Sequence, residues 1–180
     1  MDRRGVGQRG DLALPSVLHP VPCYTVLMAT ITSILDVLAA SVTPALARAV
    51  PGAELRQQRP QDAESLACLY LLGLSPTAAT HHLTAPRPGP GSQPAPVATF
   101  TAEVLFSFHG TQAPQLLESV LTTLHQQPVV QVGDQPVPVR LQPTSWADLC
   151  AIWTMLGVPH SPCLVYHVGP FDVATPIGPG

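Results

Sequence analysis

The stretch whose reading decides the fold is SWADLCAIWTMLGVPHSPCLVYHV, residues 145–168. Ser145 suits a helix N-cap, because its hydroxyl can accept from the unpaired N–H groups of a first turn. Trp146, Leu149, Ile152, Trp153 and Leu156 follow at spacings of three and four, one face of an α-helix. Gly157 and Pro159 stop that helix. Residues 163–168 are short and apolar, the pattern of a buried strand. No side chain in the stretch is arranged for chemistry.

Upstream, residues 129–132 and 137–141 read as two short strands around Gly133, Asp134 and Gln135, a hairpin that Pro136 and Pro138 keep at a sheet edge. Residues 112–127 carry Leu116, Leu117, Val120, Leu121 and Leu124 at helical spacing, with Pro114 in the first turn and Pro128 past the end. Residues 97–108 alternate, Phe100, Ala102, Val104, Phe106 and Phe108 against Thr99, Thr101, Glu103, Leu105 and Ser107, which predicts a half-buried strand closed by His109 and Gly110. Residues 75–96 are rich in Pro and Gly and predict a mobile loop. Residues 66–74, LACLYLLGL, form a dense apolar run short enough for a buried strand, and residues 54–58 a polar edge strand. A first helix begins near Thr30, with Ile31, Ile34, Leu35, Leu38, Val42, Leu46 and Val50 on one stripe; Pro44 inside it predicts a kink or a split.

The order α, β, β, β, α, ββ, α, β is that of an α+β fold, a central antiparallel or mixed sheet with about three helices packed on it. Three zones result: an irregular extension over residues 1–28, a domain over 29–174 with a Pro-rich loop at 85–96, and a tail at 175–180. Met28 opens the first periodic segment and is an alternative start of the native chain. No internal repeat is present.

Composition narrows the function. The 180 residues hold only 11% charged side chains, against about 25% in ordinary globular domains, while hydrophobic content is 46%. A weakly charged surface suits burial against neighbouring subunits, although biased codon usage gives the same Pro- and Ala-rich composition. All basic residues are arginine, the net charge is −3, and no basic run exceeds Arg3-Arg4. Nucleic-acid binding is therefore not expected. No stretch holds the roughly 18–20 consecutive apolar residues that cross a bilayer, so no membrane span is expected. Cys23, Cys68, Cys150 and Cys163 form no C-x-x-C pair and read as small buried hydrophobes.

Reactive constellations are missing at the level of sequence. His19, His81, His82, His109, His125, His160 and His167 are scattered, with neither H-E-x-x-H nor finger spacing, and read as surface or rim residues. Asp62 and Glu64 share a polar turn; Glu103, Glu118, Asp148 and Asp172 fall one per element. G-x-S-x-G, G-x-G-x-x-G and P-loop patterns do not occur. No catalytic residue, metal site or cofactor is expected. Trp146 and Trp153, seven apart, share a helical face and read as core or as an interface anchor.

Four segments together resemble the cap, or tail-terminator, proteins of phage-tail-like contractile injection systems over about residues 29–173. They are ITSILDVLAASVTPAL, LACLYLLGL, FTAEVLFSFHGTQAPQLLESVLTTLHQQPVV and VRLQPTSWADLCAIWTMLGVPHSPCLVYHVGPFDV. The last two agree in residue type, spacing and order. Departures are Phe106, Phe108 and His109, where tyrosines are common, and His160, where an aromatic is common. The extension and the Pro-rich loop fall outside the match.

The resemblance implies a tail-terminator-like α+β fold and a structural cap, not an enzyme. Such a cap forms a ring of identical copies, a homohexamer by family precedent. It binds the last tube and sheath rings at the baseplate-distal end and stops their growth. It also implies assembly in the cytoplasm as part of an injection particle. Sheet edges that could accept a strand-like sheath arm are residues 54–58 and 137–141, which nominates Arg56, Arg59, Val137, Val139 and Arg140 as partner-interface residues. A soluble adaptor module using the Trp helix, a small hydrolase and the terminator of a true phage tail are the alternatives.

Overall fold

Helix α1 (Ile31–Ala49) forms because Ile34, Leu38, Val42, Ala45 and Leu46 recur on one face, and these are its buried residues. It runs through Pro44 without splitting. Pro44 and Ala40, whose carbonyl lacks the proline's missing N–H, are both exposed, so water can serve the open acceptor. The computed structural model describes residues 31–60, 66–77 and 97–174. The extension 1–28 with Met28 and Cys23, the loop 85–96 and the tail 175–180 lie outside the described residues.

Gly52, at φ +84°, turns the chain out of α1 into β1 (Glu54–Gln57). There follow β2 (Leu66–Pro76), β3 (Val97–Phe108), α2 (Ala113–Gln126), β4 (Val129–Val132), β5 (Gln135–Leu141), α3 (Trp146–Leu156) and β6 (Cys163–Ala174). The strands make one six-stranded sheet in the order β1-β2-β3-β6-β5-β4. β1 pairs parallel with β2 and every other pair is antiparallel, so the sheet is mixed.

The two faces of the sheet are covered differently. On one, α1 and α2 close over a large core that includes Ala67, Leu69, Val104, Phe106, Phe108, Val137, Val139, Tyr166 and Val168. On the other, α3 packs a small core of Leu105, Trp153, Leu156 and Val165. β3 is thus central and buried on both faces from Val104 to Phe108, not half-buried as its alternation predicts. Ser107, on the nominally polar face, is fully buried and lies 3.2 Å from His109 Nε2; His109 is itself buried. Such pairing lets a polar group stay inside a core.

Two irregularities bend the ladder. β2 carries an extra residue, Leu72, between its partners Leu71 and Gly73. β6 carries Gly169 and Pro170 opposite Thr101 of β3. At Gly169 the backbone is at φ +137°, and a Cβ there would lie 2.9 Å from Phe100 O and from Thr101 Cα. Only glycine fits so close an approach of two strands.

α1 also bears on the expected absence of a membrane span. Its 19 residues, at a mean hydropathy of 1.3, are long and apolar enough to cross a bilayer by length and composition. Its buried stripe nonetheless seats in the main core. Asp36 accepts from Gln57 Nε2 at 2.8 Å, tying the helix to β1. α1 is the cover of a sheet, as amphipathic core helices are.

Candidate functional site

The sheet has two rims, β1 and β4. β5 lies inside β4 and is not an edge strand, which corrects the reading of residues 137–141. Val137 is fully buried and Val139 3% exposed, both in the main core, so their side chains are not presented to a partner. Arg140 alternates with Val139, is exposed, and is paired in register with His167 on the α3 side of the sheet. At the other rim Arg56 is exposed and donates to its own neighbour Glu54 Oε2 at 2.7 Å. Arg59 reaches the end of α3: a Cβ on the C-cap Gly157 would lie 3.4 Å from its Nη2. A cation beside helix C-terminal carbonyls is favourable. The structure therefore sets Arg56 and Arg59 at one end of the sheet, and Val137, Val139 and Arg140 towards the other, with β2, β3 and β6 between.

The ladder phase identifies which groups the β4 rim offers. Val139 N–H donates to Pro128 O at 2.8 Å. Pairing directions alternate along antiparallel strands, so Val130 and Val132 face β5, while the N–H and C=O groups of Val129 and Gln131 face outward. Val129 is 48% exposed. The unpaired N–H and C=O groups of an edge strand are a template for a further strand.

Trp146 and Trp153 share one face of α3, as their spacing predicts, and both rings lie against His160, at 5.8 and 6.3 Å, but their burial differs. Trp153 is 2% exposed, whereas Trp146, the first residue of α3, is 72% exposed and sits 5.8 Å from the His160 ring. With Leu149, Ser161 and Cys163 these rings line a notch of about 330 Å³. Met155, also on α3, is 65% exposed. Burial pushes the Cys163 thiol up, opposed in part by a hydrogen bond with Trp153, so it is a poor nucleophile at neutral pH. A shallow groove of about 500 Å³ runs between α1 and α2, lined among others by Arg48, Glu118 and Thr122.

Among the described residues, chemistry-bearing side chains do not converge. No group of three or more His, Cys, Asp or Glu able to hold a metal occurs among the described residues. His167 Nε2 stands 4.0 Å from Glu103 Oε1, both about half exposed. Ser145 Oγ is used in capping, accepting from Asp148 N–H at 3.2 Å and donating to Asp148 Oδ2 at 2.6 Å. Asp172 accepts from Thr99. Cys68, Cys150 and Cys163 are free thiols. The described surface offers rims, a helix face and clefts, which are means of contact.

A family model described as the Pvc16 N-terminal domain matches residues 29–176. Among solved structures, the chain is similar to the sheath/tube terminator of an extracellular contractile injection system, PVC, in its extended state. That match has a TM-score of 0.66 at 17% identity, over 83% of this chain and 58% of that one. It is also similar to the tube-terminating cap of the anti-feeding prophage, with a TM-score of 0.59 at 16% identity, over 77% and 54% respectively. The chain thus spans a little over half the length of these two proteins. No curated protein matches it.

Proposed function

The chain belongs to the Pvc16 N-terminal domain family, and from that premise we propose that it caps a contractile injection particle. In this reading it forms a ring of identical copies, a homohexamer, on the baseplate-distal end of tube and sheath. It fixes particle length and anchors the extended sheath. The observation that carries the reading is the fold shared, over 83% of the chain, with a protein described as a sheath/tube terminator.

The physics supports such a role. Tube and sheath are open stacks of head-to-tail contacts, and a stack of that kind grows until its repeating surface is blocked. A cap needs one surface that matches the last ring and another that does not repeat it. The two rims of this sheet differ in that way: β1 is parallel-paired and carries Arg56, with Arg59 just beyond it, whereas β4 is antiparallel-paired and offers Val129 and Gln131. We assign strand acceptance from the sheath to the β4 rim, and a charged contact to Arg56, Arg59 and Arg140. The partners are the chain itself, the tube protein and the sheath protein. The role is structural and involves no reaction, and assembly takes place in the cytoplasm of the producing cell.

Deleting the gene and imaging the particles tests this. Tails of variable length, or tubes that have lost their sheath, are the expected result. Particles of uniform normal length, intact at both ends, would remove the cap reading.

A further inference from the structure

The outer side of the α1–α2 layer is less polar than a solvent-facing helical surface. α1 is apolar enough to cross a bilayer, yet only 28% of that stretch is buried. Besides His125, α1 and α2 together carry three titratable or charged side chains, Asp36, Arg48 and Glu118, where ordinary composition would give about eight charges. Ala40, Thr43, Pro44 and Ala47 of α1 and Thr122 of α2 are exposed, and such small side chains let another surface come close. A helix that is apolar beyond its core face is normally covered further in an assembly.

Two charges on this layer select what covers it. Arg48 of α1 and Glu118 of α2 line the two walls of the shallow groove between the helices. They do not meet, for the ion pairs among the described residues are Glu54–Arg56 and Glu103–His167. Arg48 donates its Nε–H to Pro44 O at 3.2 Å, and its two Nη groups have no partner among the described residues. Glu118 forms no hydrogen bond or ion pair there either. Asp36, the remaining charge, is bonded to Gln57. A complementary cover therefore brings a carboxylate to the α1 wall and a cation to the α2 wall. The groove of a second copy is such a surface. Turned by a two-fold axis that runs along the groove, the second copy sets its Glu118 over Arg48 and its Arg48 over Glu118.

We propose that two copies of this chain pair through their α1–α2 layers, with reciprocal Arg48–Glu118 contacts. The 19 residues of α1 and 14 of α2 make helices about 28 and 21 Å long, and two packed helices are about 20 Å wide. The footprint is about 500 Å² per copy, so about 1,000 Å² is buried in a pair, the lower limit of a specific contact. The pairing is accordingly weak and concentration-dependent. It is isologous, whereas the contacts around a ring run head to tail, so it goes beyond the cap reading: it joins free copies, or two rings back to back.

Sedimentation equilibrium of the full chain over about 1–500 µM, the range of weak recognition, reads the pairing as a doubling of mass. The parent should double as concentration rises. Arg48→Glu and Glu118→Arg should each weaken the pairing at least about tenfold, because like charges then face each other. An equimolar mixture of the two variants should regain it, one copy supplying both carboxylates and the other both guanidiniums, and the double variant should pair like the parent. Misfolding of a single variant would not be repaired by mixing, so the mixture separates lost pairing from lost structure. A parent of constant mass, single variants that double as the parent does, or a mixture that stays unpaired would each overturn the proposal. So would a parent of constant mass that floats with phosphatidylglycerol vesicles, which would give the layer to lipid. A chain that forms rings by itself would double from one ring to two, so the readout stands whether or not the cap reading does.

Discussion

Replacing Gly169 by alanine should cripple the fold out of proportion to the single methyl added. Two effects act at once. The residue sits at φ +137°, where a side chain costs about 1–3 kcal/mol in backbone strain. The new Cβ would also lie 2.9 Å from Phe100 O and Thr101 Cα. Those are backbone atoms of the central strand β3, which cannot move aside as a side-chain tip could. Overpacking of that kind costs about 1–3 kcal/mol more. The combined loss, about 4 kcal/mol, is a large share of the roughly 5–15 kcal/mol that holds a domain together. It corresponds to a fall of about 8–16 °C in midpoint for a domain of this size. Two controls isolate the terms. Gly52, at φ +84° with nothing near its Cβ position, tests strain alone; Gly73 has open space and no unusual φ. Urea unfolding of the three alanine variants, with unchanged slopes, should rank Gly169 far below Gly52, and Gly73 near the parent. A Gly169→Ala protein within about 1 kcal/mol of Gly73→Ala, less than the strain term alone, would refute the argument.

Other consequences are open to measurement. Burial pushes the Tyr166 phenol up to about 12, above the value near 10 of an unfolded tyrosine. Above pH 10 the folded state therefore holds a proton that the unfolded state releases. The unfolding free energy from urea titrations should fall as pH rises from 10 to 12, by up to about 3 kcal/mol, and Tyr166→Phe should flatten that part of the curve. Ser145→Ala removes the N-cap of α3 and should cost about 1 kcal/mol in chemical denaturation. Acrylamide should quench most of the tryptophan emission of the parent; in Trp146→Phe the remaining Trp153 should emit to the blue and resist quenching, since it is 2% exposed. Gln131→Pro removes an outward-facing N–H and should leave thermal stability nearly unchanged while abolishing sheath binding at the β4 rim. Val139→Pro breaks the bond to Pro128 O and should unfold the chain, by about 3 kcal/mol or more.

Much of the fold is legible in the sequence because local signals and burial agree. The cap of α3 at Ser145, its stop at Gly157 and the stripe of Leu116, Val120 and Leu124 on α2 appear where their spacing puts them. Lateral order is not a local property, and there the reading fails. Pro136 and Pro138 look like the marks of an edge strand, yet β5 lies between β4 and β6. Its register to β6 covers only Val139, Arg140 and Leu141, so the prolines sit where that ladder is interrupted. Gln135 Oε1 takes over there, accepting from Asp172 N–H at 3.3 Å. β3 misleads for a similar reason: Ser107 reads as solvent-facing, but α3 covers that side and His109 satisfies its hydroxyl. Trp146 shares a helical phase with Trp153, but as the first helical residue it stands proud beside His160 instead of sinking into the core.

The separation of the two cores has a mechanical consequence. α3 is held by a small buried core of Leu105, Trp153, Leu156 and Val165, edged by partly buried residues such as Tyr70, Leu72 and Ile152, with the thickness of the sheet between it and the larger core. Few buried contacts mean a low free energy of local opening. Under load α3 would peel first, while the amides of β3 and β6 stay protected from hydrogen exchange. In any array that pulls on this molecule from the α3 side, that helix would act as a fuse, yielding reversibly before the ladder tears.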